Sequence, residues 1–307
     1  PYLAVDMNAA DAPLDAVVFS PHKFIGGPGS SGVLAIKRKV LRNTVPAQIG
    51  GGTVRYVTPD WHEWHPDPEH REEGGTPGIV ESIRGAMAVS IPKKIGYQRI
   101  AEIEKQHRRE AEKRFQMTDG LERLGPRHAD QLPIFSMRFR SDLGELHYGY
   151  VVRLLNDLFG IQARGGCSCA GPYGHELLGL TRQRSEALAA GVQRGFGCLR
   201  PGWVRFNLHW LCDDREVDYI LNAMALVAQW GVKLLASYTL DLQSGLWQHR
   251  DAPATPPLRL DVFADSVLSP EPVTIAKPHQ VLEAAEDTLR SGAPQGHREQ
   301  SVDDFHR

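Results

Sequence analysis

The sequence predicts an α/β fold. Two observations carry that expectation. Short apolar runs of strand type alternate along the chain with longer segments whose apolar residues recur at helical spacing. A strand, a glycine-rich loop and a second strand follow one another near the N-terminus. With 307 residues and 41% hydrophobic content the chain can build one large or two ordinary cores.

Ala16-Val17-Val18-Phe19 reads as the first strand and Gly32–Ile36 as the second, with the turn-rich stretch Pro21–Gly29 between them. Residues 50–78 are rich in Gly, Pro, His and Trp and show no period, so they read as a long functional or disordered loop. Ile79–Ile91 has helical spacing. A longer helix is expected from Gly96 to about Leu124, carrying the chain out of the first domain. A strand (Ile134–Phe139), a helix (Tyr148–Phe159), a strand (Ile161–Arg164), helical segments over Glu176–Val192, a strand (Trp203–Leu208) and a helix (Glu216–Leu235) follow. Asp213-Asp214 supplies the N-cap of that last helix and favourable charge at its positive end. After about Gly245 the pattern fades. One short helix is expected at His279–Arg290, and the rest of 246–307 reads as a poorly structured, mobile tail.

Composition excludes several classes. Lys+Arg 35 against Asp+Glu 37 leaves a formal charge of -2, so no bulk field draws the chain to nucleic acid or anionic lipid. No run of about 18 apolar residues suggests a membrane span. The start PYLAVDMNAADAPLD has neither the basic nor the apolar region of a signal peptide. It begins with Pro1 and reads like the interior of a domain, which suggests a fragment. Cys167, Cys169, Cys198 and Cys212 do not form a dense disulfide framework, so free thiols in a reducing, cytoplasmic compartment are expected.

Two loops concentrate chemistry. Lys23 follows an apolar strand and precedes a glycine-rich turn. An amine partly desolvated there is a nucleophile for an aldehyde, with Ser20 and His22 offering hydrogen-bond donors on either side. An ordinary lysine on a surface loop is the alternative. The second loop, Arg164-Gly165-Gly166-Cys167-Ser168-Cys169-Ala170-Gly171-Pro172, joins a strand to a helix. Its Cys-x-Cys lacks the paired partners of a zinc site, so metal is not expected. Glycines, a serine and an arginine around the thiols suit access and nucleophilicity better than a structural core cysteine.

Asp15-x4-Ser20-Pro21-His22-Lys23, followed by Gly26-Gly27-Pro28-Gly29-Ser30-Ser31-Gly32-Val33-Leu34, resembles the lysine segment of the class V aminotransferase family, which uses pyridoxal 5'-phosphate (PLP). Its loop has one residue more than the commonest spacing. Gly50-Gly51-Gly52 and Glu73-Gly74-Gly75-Thr76-Pro77-Gly78-Ile79 resemble two further family segments. The cysteine loop is similar to the Arg-x-Gly-x-x-Cys-Ala-x-Pro of the second group of cysteine desulfurases, and Trp203–Leu208 to the family's carboxylate-binding strand. Here Cys167 stands where that group commonly has histidine, and Asn207 replaces the usual serine.

The resemblance spans residues 1 to about 235 and implies PLP fold type I. Residues 1–95 would be the last part of the large PLP-binding domain, and 96–245 the small C-terminal α/β domain. It implies that Lys23 forms the Schiff base with PLP, that Ser20 and His22 bind the cofactor phosphate, and that Thr76 reaches the phosphate of a neighbouring subunit. Arg205 would fork onto the substrate α-carboxylate, with Arg164 close to the substrate, and Cys169 would be the persulfide-forming nucleophile. The implied reaction is C–S cleavage of cysteine to alanine and an enzyme persulfide, in a homodimer that passes sulfur to an acceptor protein. The alternatives are another PLP-dependent aminotransferase, epimerase or lyase of the family, or a non-catalytic dimerisation or interaction remnant. The family's upstream segments, which carry the rest of the cofactor cradle, are absent from this sequence, so the chain by itself is expected to be inactive.

Overall fold

The computed structural model describes residues 5–126, 131–252 and 277–292. The chain divides into two compact units between Glu102 and Ile103. The sequence reading put a domain boundary after residue 95, where Gly96 (φ 98°) separates two helices.

In the N-terminal unit, β1 (Ala16–Phe19) pairs antiparallel with β2 (Val33–Ile36). Both strands lie where their β-branched, apolar composition puts them. Residues 50–78 are more ordered than expected. They hold β3 (Val54–Val57), β4 (His62–Trp64) and a short helix α1 (Pro68–Glu72). The missing period has a physical reason. Buried Arg71 donates to the carbonyls of His65, Pro66 and Asn43, so a guanidinium holds the segment where an apolar stripe would otherwise be needed. Helix α2 (Ile79–Ile95) runs a turn further than predicted and meets α3 (Tyr97–Gln116) at Gly96.

The expected helix to Leu124 stops at Gln116. Gly120 (φ 78°) turns the chain, and Leu121–Arg123 becomes β5, paired with β6 (Ile134–Ser141). A side chain at Gly120 would meet the Arg140 carbonyl at 2.5 Å, so only glycine lets the two backbones close this far. The C-terminal unit is built on a five-stranded antiparallel sheet with the path β5-β6-β9-β8. Here β8 is Arg164–Gly166 and β9 is Trp203–Asn207; β7 (Gly144–Leu146) also pairs with β6. The predicted strand at 161–164 is thus displaced, because its ladder begins only where Arg164 meets Arg205.

Alternation along β6 and β9 turns Phe135, Met137, Phe139, Val204 and Phe206 into the core. Against that face lie α4 (Tyr148–Phe159) and α7 (Asp214–Trp230). Asp213 caps α7 as expected, in a capping box with Glu216. The helical stretch expected over 176–192 is two helices, α5 (Gly171–Leu177) and α6 (Arg182–Gln193). They are separated at Gly179 (φ 62°), and Thr181 caps the second. The helix expected to Leu235 ends at Trp230 and continues as a 3-10 turn to Ser237. Together Asp214–Ser237 is long and apolar enough to cross a membrane, contrary to the reading that no stretch is. Its Val217, Leu221, Met224 and Val227 are fully packed in the core, which is what its hydrophobicity serves here.

A hairpin of β10 (Tyr238–Leu240) and β11 (Trp247–His249) follows. The expected late helix is α8 (Pro278–Ser291), and it packs Ala285 and Leu289 into the same core. The stretches 253–276 and 293–307, expected to be mobile, lie outside the described residues.

Candidate functional site

The lysine loop lies along one face of α2. Ser31 N–H donates to the Glu81 carbonyl, and Arg84 Nη1 to the Pro28 carbonyl at 2.8 Å. A methyl on Gly85 would touch Ser30 and Pro21, and one on Gly26 would touch Ile91. Positions 81, 84, 85 and 91 fall at i, i+3, i+4 and i+10, which share one face of a helix, so a single face of α2 seats the loop.

Within the loop, Ser20 leads from β1 into a 3-10 turn over Pro21–Lys23. Lys23 N–H donates to the Ser20 carbonyl, Phe24 N–H to Pro21 and Gly27 N–H to Phe24. Gly27 is obligatory here, since a Cβ would fall 1.9 Å from the Pro21 carbonyl oxygen. The Ser20 hydroxyl makes no cap hydrogen bond. His22 and Lys23 are exposed, so the partial desolvation expected for Lys23 is not found in this chain. Neighbouring Val18 and Leu34 on the two-stranded ribbon are exposed as well, at 77% and 60%.

A primary amine, a hydroxyl and an imidazole therefore leave one turn with free hydrogen-bonding capacity among the described residues. That donor set fits an aldehyde bearing a phosphate: the amine for the carbonyl carbon, the other two for phosphate oxygens.

Two further glycine-rich segments meet in this unit. Gly75 N–H donates to the Gly51 carbonyl at 2.8 Å. A Cβ on Gly50 would lie 3.0 Å from Gly74 Cα, so the backbones pack directly. Buried Thr53 ties the first segment down through its hydroxyl to the Gly50 carbonyl at 2.6 Å. Thr76 sits exposed just after this contact, three residues before α2 begins.

In the C-terminal unit, β8 and β9 bring Arg164 directly opposite Arg205, and β6 brings Ser136 opposite Arg205. Two like charges facing each other across a ladder repel. Among the described residues no carboxylate pairs with either guanidinium, which leaves the pair available to an anion. After β8 the chain makes a tight turn closed by Ala170 N–H on the Cys167 carbonyl at 3.0 Å. Its two central residues, Ser168 (φ 55°) and Cys169 (φ 62°), are the only non-glycine residues at positive φ among those described. Such strain persists only where the surroundings impose it, and it concentrates at functional sites.

Cys167 and Cys169 are both exposed free thiols, and Arg164 Nη2 donates to Cys169 Sγ at 3.1 Å. The other two cysteines differ. Cys198 and Cys212 are half-buried, and burial pushes the Cys212 thiol above its ordinary value, away from thiolate at neutral pH.

Residues that carry no chemistry position this turn, and the sequence reading did not single them out. A methyl on Gly202 would fall 2.4 Å from Gly166 Cα, and one on Gly165 would fall 2.8 Å from the Tyr148 ring. Tyr148 opens α4, whose N-cap is His147. The His147 Nδ1 accepts from Gly149 N–H and from Trp247 Nε1–H, so its Nε2–H donates to the Cys198 carbonyl. Isolated glycines and one histidine give no sequence signal for this.

The N-terminal unit thus carries a lysine at a strand-to-turn junction, and the C-terminal unit a cysteine–arginine loop on a sheet edge. Residues 2–219 match the family model described as aminotransferase class-V, and the chain belongs to that family. It is similar to a probable cysteine desulfurase of Staphylococcus epidermidis, with 32% identity over 172 residues, 56% of this chain and 40% of that protein. It is also similar to a probable cysteine desulfurase of Halobacterium salinarum, 31% identical over 213 residues, covering 66% of this chain and 49% of that protein. Among solved structures, the apo cysteine desulfurase from Thermococcus onnurineus NA1 superposes with a TM-score of 0.56 at 27% identity. That match covers 70% of this chain and 47% of the other. The architecture is fold type I of PLP-dependent enzymes. The chain spans less than half the length of these relatives.

Proposed function

We propose that the whole protein is a PLP-dependent cysteine desulfurase, acting in a homodimer on free cysteine. The contact of Arg164 with Cys169 Sγ, at the apex of a strained and exposed turn, carries this reading. A cation on the sulfur is the arrangement a nucleophilic cysteine needs, and a cysteine that was a bystander in another family reaction would have no use for it.

Lys23 would hold PLP, with Ser20 and His22 on its phosphate and Thr76 serving the phosphate of the partner subunit. When bound, PLP supplies an electron sink that weakens bonds around the substrate carbons. The residues of this chain do the rest. Arg205, free of carboxylate partners, takes the substrate α-carboxylate in a two-pronged contact, and Arg164 adds positive charge on the same sheet edge. The Lys23 amine moves protons to and from the substrate carbons. The Cys169 thiolate attacks the substrate sulfur: an S–S bond forms, the C–S bond breaks, and its electron pair stays on carbon to be protonated to alanine.

The test is alanine release from cysteine by the full-length, PLP-loaded protein. Cys169→Ser is expected to abolish release and retain the cofactor's visible absorption. Full release by Cys169→Ser, or cysteine never serving as substrate, would leave another class V reaction as the better reading.

A further inference from the structure

Cys167 has no place in the reaction above, yet it shares the turn with Cys169. We propose that Cys167 is a second sulfur station that takes the sulfane sulfur from Cys169 and returns Cys169 to its starting state. This rests on the desulfurase reading.

Three observations support it. Both thiols are exposed and free, while the Ser168 hydroxyl between them is buried without a partner. The serine hydroxyl therefore points inward, while both flanking cysteines are exposed. The turn is closed by the hydrogen bond from Ala170 N–H to the Cys167 carbonyl, which holds the two residues close. Residues i and i+2 in such a turn have Cα atoms roughly 5–7 Å apart, within sulfur-to-sulfur reach. Arg164 bonds the sulfur of Cys169, which fixes the direction of transfer.

The step balances without an added oxidant. The Cys167 thiolate attacks the outer sulfur of the Cys169 persulfide. A bond forms between Cys167 Sγ and that sulfur, and the Cys169 Sγ–S bond breaks. The electron pair returns to Cys169 as thiolate, the better leaving group because the Arg164 N–H stabilises it. One persulfide replaces another, and the proton count is unchanged. The freed Cys169 can then accept sulfur from a second cysteine before any acceptor arrives.

The experiment counts alanine released in a burst by the full-length, PLP-loaded protein given excess cysteine, with no reductant and no sulfur acceptor. Peptide mass spectrometry then locates the added sulfur. The wild type is expected to release about two alanines per subunit, with added sulfur on the Cys167 peptide position as well as Cys169. Cys167→Ser and Cys167→Ala are expected to drop the burst about twofold, to one, with sulfur on Cys169 only. The thermal midpoint of each variant checks that it folds. A wild-type burst of one with Cys167 unmodified overturns the relay and leaves the desulfurase reading standing. So does a Cys167–Cys169 disulfide formed with release of sulfide. If no protein, wild type included, releases alanine, both ideas fall.

Discussion

Gly202→Ala tests how packing seats the reactive turn. Gly202 precedes β9, and its α-carbon faces the backbone of Gly166, the last residue of β8 before Cys167. An added methyl would stand 2.4 Å from Gly166 Cα, 2.6 Å from its carbonyl carbon and 2.9 Å from Tyr148 Cε1. Ordinary contact begins near 3.4 Å, so β8 must retreat by about 1 Å. The obstacle is backbone, which cannot rotate aside as a side chain would. Overpacking of this kind costs roughly 1–3 kcal/mol of stability. The functional effect is expected to be larger, because the retreat moves the strand that launches the Cys167–Cys169 turn. A displacement of about 1 Å can cost on the order of 10²-fold in rate.

The assays are urea unfolding of the chain, the rate of Cys169 alkylation by a limiting electrophile, and alanine release by the full-length protein. Gly171→Ala, whose methyl would meet nothing within 4 Å, is the stability control. If Gly202→Ala unfolds within about 0.5 kcal/mol of the wild type and leaves the alkylation rate unchanged, the Gly202–Gly166 contact does not seat the turn.

Four other outcomes are expected. His147→Ala removes the cap of α4 and strips a partner from the Trp247 indole and the Cys198 carbonyl, so it should cost about 2–3 kcal/mol by chemical denaturation; a loss under about 0.5 kcal/mol would refute that role. Burial holds His147, His107 and His209 below the ordinary 6.5, so the unfolded chain takes up protons first. Their contribution is therefore complete above about pH 6.5 and lost as pH falls below it; a thermal midpoint that is flat between pH 7.5 and 5.5, roughly the window concerned, would contradict this. Lys23→Ala in the full-length protein should abolish borohydride-fixed PLP, and recovery of the adduct on another lysine would move the cofactor site. Arg205→Met should lower kcat/KM for cysteine by roughly 10- to 10²-fold, the worth of a charge-assisted pair, while Cys169 alkylates at its normal rate. An unchanged kcat/KM would remove Arg205 from carboxylate binding.

Much of this protein was legible in order along the chain. The apolar run at 16–19, the alternation at 134–139 and the helical period at 148–159 became elements at those positions, because each has a burial pattern that a single period describes. Lys23, Thr76, Cys169 and Arg205 were nominated by resemblance to the family's motifs, which are read in chain order without any three-dimensional information. What the chain order could not supply was anything fixed by a partner distant in sequence. The helix after Gly96 ends at Gln116 because residues 121–123 find β6, and the carbonyl of Arg140 leaves room only for Gly120. Residues 50–78 are held by Arg71 binding carbonyls, which has no apolar period to read. Arg164 faces Arg205 only because β8 and β9 pair in one register, some forty residues apart in the chain. The left-handed backbone of Ser168 and Cys169 is likewise imposed by the turn and its supports, since neither residue type prefers it. The sequence by itself nominated residue types suited to chemistry; register and close backbone contact decided that Arg164 and Arg205 face each other beside the cysteine turn.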